Sequence, residues 1–367
     1  MTSPASDRPT EVGLIGFGLG GATFHAPFIS ATPGLHLAAV MTTDPARRHG
    51  VEERYPDAKV VGTIDELLAF APRVELISIS SPNASHYPLA KAALEAGRNV
   101  VVDKPFAVTS AQARELGAIG KANGVKAMPF QNRRWDGDFL TVRKLMADDR
   151  LGRVFRFESR FDRWRGEPKA GWMRADWAER AENIVHDIGT HLIDQALVLF
   201  GSVTHVYAEL TPRRAGVVSF DDAFVALTHA NGVSSHLYMS ASAGQAGPRM
   251  SVFAEKGAYL KYGLDVQEDA LRGGMRPTDP SYGAEPSEKW GTLVGPGVNE
   301  TIPTVAGAYP SFYAGVARAI REGAAPPVPV ADVVRGLEII EAAFLSHASK
   351  HVVALSHDVE ALPRAGA

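Results

Sequence analysis

The chain has 367 residues, 45% of them hydrophobic and 22% charged, which suggests two domains with full apolar cores. With 38 Lys and Arg against 41 Asp and Glu and no cysteine, it offers no general nucleic-acid footprint, disulfide scaffold, thiol nucleophile or thiolate-held zinc. No apolar run approaches the roughly 20 residues that cross a bilayer, and residues 1–10 show no leader-like apolar core, so a cytoplasmic protein without membrane contact is expected.

Along the first third, short apolar runs at 12–15, 35–41, 59–61, 74–80, 99–102 and 125–128 read as buried strands. Helices are expected between them at 22–30, 46–55, 65–70, 85–96 and 110–123, with Gly97 in the C′ position that glycine favours. This alternation predicts an α/β fold over residues 1–130, a doubly wound parallel sheet covered on both faces. After Gln131 the rhythm changes. A helix at 138–146 leads into alternation at 153–160, and a helix at 187–199 stops at Gly201. Strand-like runs follow at 203–210, 224–229, 233–240 and 249–253. Strands in succession predict an α+β domain over 131–367 with a mostly antiparallel, open sheet. Residues 273–298 are rich in Gly, Pro and Ser and are expected to form an ordered loop. Helices at 309–321 and 330–349 close the chain and could pack back on the first domain.

The chemistry starts at Gly16-Phe17-Gly18-Leu19-Gly20-Gly21, directly after the first strand and opening a helix. Gly16 permits a tight turn, Gly18 lets a pyrophosphate approach the backbone, and Gly21 lets helix and strand pack closely. In a βαβ setting that spacing points to a dinucleotide; the bland alternative is a glycine-rich turn. The end of the second strand reads Thr42-Thr43-Asp44, with Arg47 and Arg48 following. A carboxylate at the strand end suits the ribose of NAD, whereas small polar residues with arginines suit the 2′-phosphate of NADP. NADP is therefore preferred over NAD, unless the arginines are only a solvated helix face.

Asp103-Lys104-Pro105 follows the fifth strand, at the sheet edge where ligands bind, and Lys104 could face an oxygen that becomes negative. Ser81-Pro82-Asn83, with His86 beyond it, could bend over a nicotinamide or be plain turn chemistry. Asp187 and His191 stand at i and i+4, so they share a helix face and could work as acid–base equipment. The alternatives there are a capping Asp with a core histidine, or a metal site that lacks a third ligand. His25 reads as a satisfied buried histidine. Between 153 and 177, arginines alternate with tryptophans, a pattern that suits single-stranded nucleic acid or a polyol. The acidic balance favours a polyol, with Trp172 a candidate for stacking on its ring.

Together these residues resemble the glucose–fructose oxidoreductase and inositol dehydrogenase family, and within it the NADP-dependent scyllo-inositol dehydrogenases. The likeness runs from about residue 12 to 354. It includes Phe24-His25-Ala26-Pro27, Asp103-Lys104-Pro105, Asn132-Arg133-Arg134-Trp135-Asp136, the Asp187/His191 helix and the run from Lys261 to Asp269. The resemblance implies an N-terminal Rossmann domain, a C-terminal open sheet and a homodimer or homotetramer. It also implies Lys104 and His191 as the reacting pair, Asp187 as a substrate-orienting residue and Asn132 near the nicotinamide. Two positions depart from the family pattern. Asp103 replaces the usual glutamate, and Ala181-Glu182-Asn183 stands where a glycine pair is usual. The activity so implied is reversible oxidation of a secondary alcohol on a cyclic polyol. The alternatives are a pyranose dehydrogenase and a cofactor-binding sensor without turnover.

Overall fold

A computed structural model of the chain describes residues 8–70 and 74–355; residues 1–7, part of the stretch read for a leader, lie outside it. It forms two units. One takes Met1–Asn132, Gln267–Tyr282 and Ala308–Val334; the other takes Arg133–Val266, Gly283–Gly307 and Arg335–Ala367.

The first unit holds strands β1 (Thr10–Ile15), β2 (Leu35–Met41), β3 (Lys59–Val61), β4 (Val74–Ile79), β5 (Asn99–Val102) and β6 (Ala127–Pro129). They form one six-stranded sheet in the order β3-β2-β1-β4-β5-β6, with parallel neighbours throughout. Leu14, Val40, Ile77 and Val101 are fully buried, as expected for strands covered on both faces. The intervening helices are α1 (Ala26–Ala31), α2 (Pro45–Arg54), α3 (Ile64–Ala69), α4 (Asn83–Glu95) and α5 (Ser110–Ala122). Their starts are set by polar caps. Asp44 accepts from the N–H groups of Ala46 and Arg47, Thr63 from that of Glu66, and Thr109 from that of Gln112. The strand order reverses between β1 and β4, so the carboxyl ends of these strands border the crevice in which such sheets bind ligands.

The second unit opens with α6 (Gly137–Ala147) and β7 (Val154–Asp162), then α7 (Thr190–Phe200). Eight further strands follow: β8 (Val203–Thr211), β9 (Asp222–His229), β10 (Ser234–Ser240), β11 (Met250–Ala254), β12 (Gly257–Lys261), β13 (Gly291–Gly295), β14 (Val298–Ile302) and β15 (Val353–Ala354). Their order is β14-β13-β12-β11-β7-β10-β9-β8-β15. The β7–β10 pair is parallel and its neighbours in the ladder are antiparallel. Alternating burial along β7, β8 and β9 marks one face turned to the core. The helix α7 is buried along its length, from Leu192 and Ile193 to Ala196. Two later helices, α8 (Gln267–Arg272) and α9 (Pro310–Arg321), belong to the first unit, and α10 (Val330–Ser349) has the bounds its periodicity predicts.

The loop expected at 273–298 needs correction. Residues 291–295 form β13, and 298–302 pair with it as β14. Glycines at 291, 295 and 297 disguise this hairpin as loop composition, whereas the partner strand β12 is what holds it in the sheet.

A buried ionic lattice ties α7 to this sheet. Arg249 places Nε 3.1 Å from Asp138, and its other nitrogens donate to Ser159 and, at 2.9 Å, to Gln195. Gln195 donates in turn to the carbonyl of Arg133, and Arg134 forks onto Asp194 at 2.8 and 2.6 Å.

Candidate active site

The chain leaves β1 into the glycine turn and re-enters helix through a wide π turn, Gly21–His25, before α1. Gly16 has φ +91°, and a Cβ there would lie 2.4 Å from the carbonyl oxygen of Ser80. A Cβ on Gly21 would lie 2.0 Å from the carbonyl of Gly16, so helix and strand close directly on one another. Gly18 differs. What stands before it is the guanidinium of Arg47, 3.7 Å from where its Cβ would be. An open backbone face opposite a guanidinium fits a phosphate-bearing dinucleotide. Phe17 is buried edge-on to Tyr55 at 6.1 Å with Arg54 over its ring, while Leu19 is exposed. Thr42 is buried and its hydroxyl accepts from the Asp44 N–H; Thr43 is exposed. The Asp44 carboxylate caps α2 and lies 3.5 Å from Arg47.

At the end of β5, the short side chain of Asp103 bends back on its own turn. Oδ1 accepts from the Lys104 N–H at 2.7 Å, and Oδ2 accepts from Ser80 Oγ at 3.0 Å. Oδ2 also faces His25 Nε2 at 3.4 Å. Burial pushes the Asp103 carboxyl up, but the His25 ring, the Lys104 ammonium and His86 overrule it and hold the group well below the usual carboxylate range. The other His25 nitrogen meets Tyr313 OH at 2.7 Å and Ser78 Oγ at 3.1 Å. Burial raises the Tyr313 phenol far above its ordinary pKa, so it remains a donor. His25 is thus a buried histidine bonded through Nδ1, with Nε2 turned to the Asp103 carboxylate at ion-pair rather than hydrogen-bond geometry.

Ser81 bonds Ser85 through their hydroxyls, Pro82 precedes α4, and Asn83 begins it. His86, expected at the cofactor, is buried and commits both ring nitrogens to backbone carbonyls of Ser81 and Pro105. It has no polar atom left for a ligand.

In the second unit, Asp187 lies in a π turn, Val185–Gly189, which runs into α7, and His191 is the second residue of that helix. His191 is buried; Asp187 is partly open and forms an ion pair with Lys169. Asn183 sets the turn, its side-chain oxygen accepting from the N–H groups of Val185 and His186. Trp172 corrects an expectation. It is 4% exposed, with Lys169 and Arg214 at 5.2 and 5.7 Å from its ring, so it does not offer a face to a sugar. Nothing in the sequence singles out Lys169, because an ion pair between a loop and a helix start leaves no periodic signal. Asn132 is buried at the start of a 3₁₀ turn.

Where the family's glycine pair is missing, Ala181 has φ +53° and is buried. The left-handed backbone costs a non-glycine residue roughly 1–2 kcal/mol, while a buried methyl contributes about 0.8 kcal/mol. Ala181→Gly is therefore expected to melt close to the parent. Ala181→Val adds a β-branch in that conformation and overpacks the site, costing about 2–4 kcal/mol. Thermal melts of both variants check this; equal tolerance of valine would contradict it.

Residues 10–131 match an oxidoreductase family's NAD-binding Rossmann fold, and residues 143–355 match its C-terminal alpha/beta domain. The chain belongs to the GFO/IDH/MocA oxidoreductase family. It is 40% identical to the uncharacterized oxidoreductase YdgJ of Escherichia coli (strain K12), over 90% of this chain and 94% of that protein. It is 34% identical to scyllo-inositol 2-dehydrogenase (NADP(+)) IolW of Bacillus subtilis (strain 168), over 95% of this chain and 96% of IolW. The solved structure of yvaA from Bacillus subtilis superposes with a TM-score of 0.91 at 33% identity, covering 96% of this chain and 99% of that one. As a GFO/IDH/MocA member, the protein is an NAD(P)-binding oxidoreductase with a six-stranded parallel Rossmann sheet and a mixed, mostly antiparallel C-terminal sheet. Among the described residues, no helix is long and apolar enough to cross a membrane.

Proposed function

We propose that this oxidoreductase interconverts a secondary alcohol on a cyclic polyol of the scyllo-inositol kind and its ketone, with NADP preferred over NAD. The observation that carries the reading is the similarity along 95% of the chain to an NADP(+) scyllo-inositol 2-dehydrogenase. The lysine turn and the Asp187/His191 helix supply residues suited to that chemistry. When bound, the nicotinamide accepts or donates the hydride. The chain's own residues do the rest. The open backbone at Gly18 takes the diphosphate, and Arg47 meets the 2′-phosphate. The Lys104 ammonium stabilises negative charge on the reacting oxygen. A ring nitrogen of His191 takes the hydroxyl proton during oxidation and returns it during reduction. Asp187, with Lys169 as counter-ion, orients the substrate hydroxyls. The same reading gives a homodimer or homotetramer.

The cofactor claim has its own test. Arg47→Ala should weaken NADP while sparing NAD, since a lost charge-assisted hydrogen bond costs about 1.5–3 kcal/mol, roughly 10- to 150-fold in affinity. Nicotinamide fluorescence titrations with both cofactors read this, and equal losses for the two would contradict it. The substrate claim is tested by following cofactor reduction across a panel of inositols and pyranoses with each cofactor. An inositol should be turned over best with NADP. Pyranose turnover without inositol turnover would overturn the substrate class.

A further inference from the structure

His86 stands in the first turn of α4 and is buried, with 1% of its surface exposed. Its Nδ1 lies 2.8 Å from the carbonyl oxygen of Pro105, and its Nε2 lies 2.8 Å from that of Ser81. Both partners can only accept. A neutral imidazole carries one N–H, so it would satisfy one carbonyl and turn a lone pair towards the other. An imidazolium donates to both. The charged groups that face the ring are Asp103 and Lys104, from the turn after β5. Burial above all, with the Lys104 ammonium, pulls the ring below the ordinary histidine pKa; the Pro105 and Ser81 carbonyls and the Asp103 carboxylate push the other way without cancelling it. The geometry of the two contacts argues for the charged ring against that pull, because a nitrogen lone pair facing a carbonyl at 2.8 Å is repelled by it.

We propose that His86 is a positioning residue held as an imidazolium, a double donor that ties the loop after β4 to the turn after β5 and thereby fixes the backbone from which Lys104 projects. The loops it joins carry Ser81 on one side and the Lys104–Pro105 bond on the other, so the ring spans the ends of two adjacent parallel strands. Asp103 supports the same turn from within, through its bond to the Lys104 N–H. Neither His86 nitrogen is available to a ligand, so its effect on turnover comes through the backbone alone. The functional part of this inference rests on the reading of Lys104 as the residue that stabilises the reacting oxygen.

The test has two arms. In the intact ¹⁵N-histidine-labelled protein, with and without NADP, the ring resonances that vanish in His86→Gln should show both nitrogens protonated at neutral pH. One bare nitrogen there would overturn the charged brace. In steady-state kinetics, folded His86→Gln should lose about 10- to 100-fold in kcat, the scale of a misplaced catalytic group, with cofactor affinity nearly unchanged. Added imidazole should raise the turnover of His86→Ala, whereas 1-methylimidazole, with a single N–H even when protonated, should not. Undiminished kcat in His86→Gln, or equal rescue by both imidazoles, would overturn the positioning role. Normal turnover in Lys104→Met would instead refute the reading of Lys104, and the nitrogen shifts would still decide the brace.

Discussion

Lys104→Met and His191→Asn should each remove most turnover while leaving cofactor affinity nearly unchanged. Lys104 follows a parallel strand at the edge where this sheet type binds ligands, and its backbone is pinned by Asp103. His191 is buried one turn beyond Asp187, on a helix locked by Arg134 and Arg249. Removing a positioned acid–base group typically costs about 10²- to 10⁴-fold. Removing a donor to a developing oxyanion costs about 10²- to 10³-fold. The two losses should combine to less than their product if both groups serve one transition state. The oxidation rate of the parent should rise with pH as the imidazole loses its proton, and His191→Asn should lack that inflection. A core histidine without a catalytic role would behave otherwise. Its replacement would lower the melting temperature and leave the specific activity of the folded fraction intact.

Arg249→Met should be the most damaging single change to stability in the second unit. Arg249 and Asp138 are 2% and 1% exposed, so removing the guanidinium leaves a carboxylate buried without its counter-charge. Nearby Asp136 is already pushed well above the usual carboxylate range by burial, with Asp265 and Asp138 adding to the effect and Arg133 and Arg249 opposing it. Breaking such a pair costs about 3–5 kcal/mol, a fall in melting temperature on the order of 10 °C for a unit of this size. The sign with pH follows. A buried carboxyl with a raised folded pKa loses stability as pH rises above its unfolded value, so the variant's deficit should shrink towards mildly acidic pH. Pairing Arg249→Met with Asp138→Leu should recover much of the loss. A deficit independent of pH, with no recovery in the pair, would show that the lattice is not electrostatic in origin.

Much of this could be read from the residues alone, for identifiable reasons. The bounds of β2 and β5 follow from uncharged apolar runs, and α10 from its 3.6-residue period. The glycine turn carries its meaning in its spacing and its place after a strand. Features held by tertiary partners were not legible. The π turns before α1 and α7 look like ordinary helix starts, and the β13–β14 hairpin looks like a loop. His86 and Trp172 were misread for one reason: residue type suggests chemistry, but only packing tells whether a polar atom or ring face is still available. His86 spends both nitrogens on carbonyls, and Trp172 is buried beside two cations. At Ala181 the backbone takes the left-handed conformation that glycine would favour, which a sequence without that glycine conceals.

The most direct measurement of hydride transfer from a cyclitol uses scyllo-inositol deuterated at its carbinol carbons. Incubated with the protein and NADP, it should yield reduced cofactor one mass unit heavier, together with the inosose, and its turnover should be slower than that of the protiated substrate. Reduced cofactor without the label, or no reduction of either cofactor by any inositol, would contradict the account.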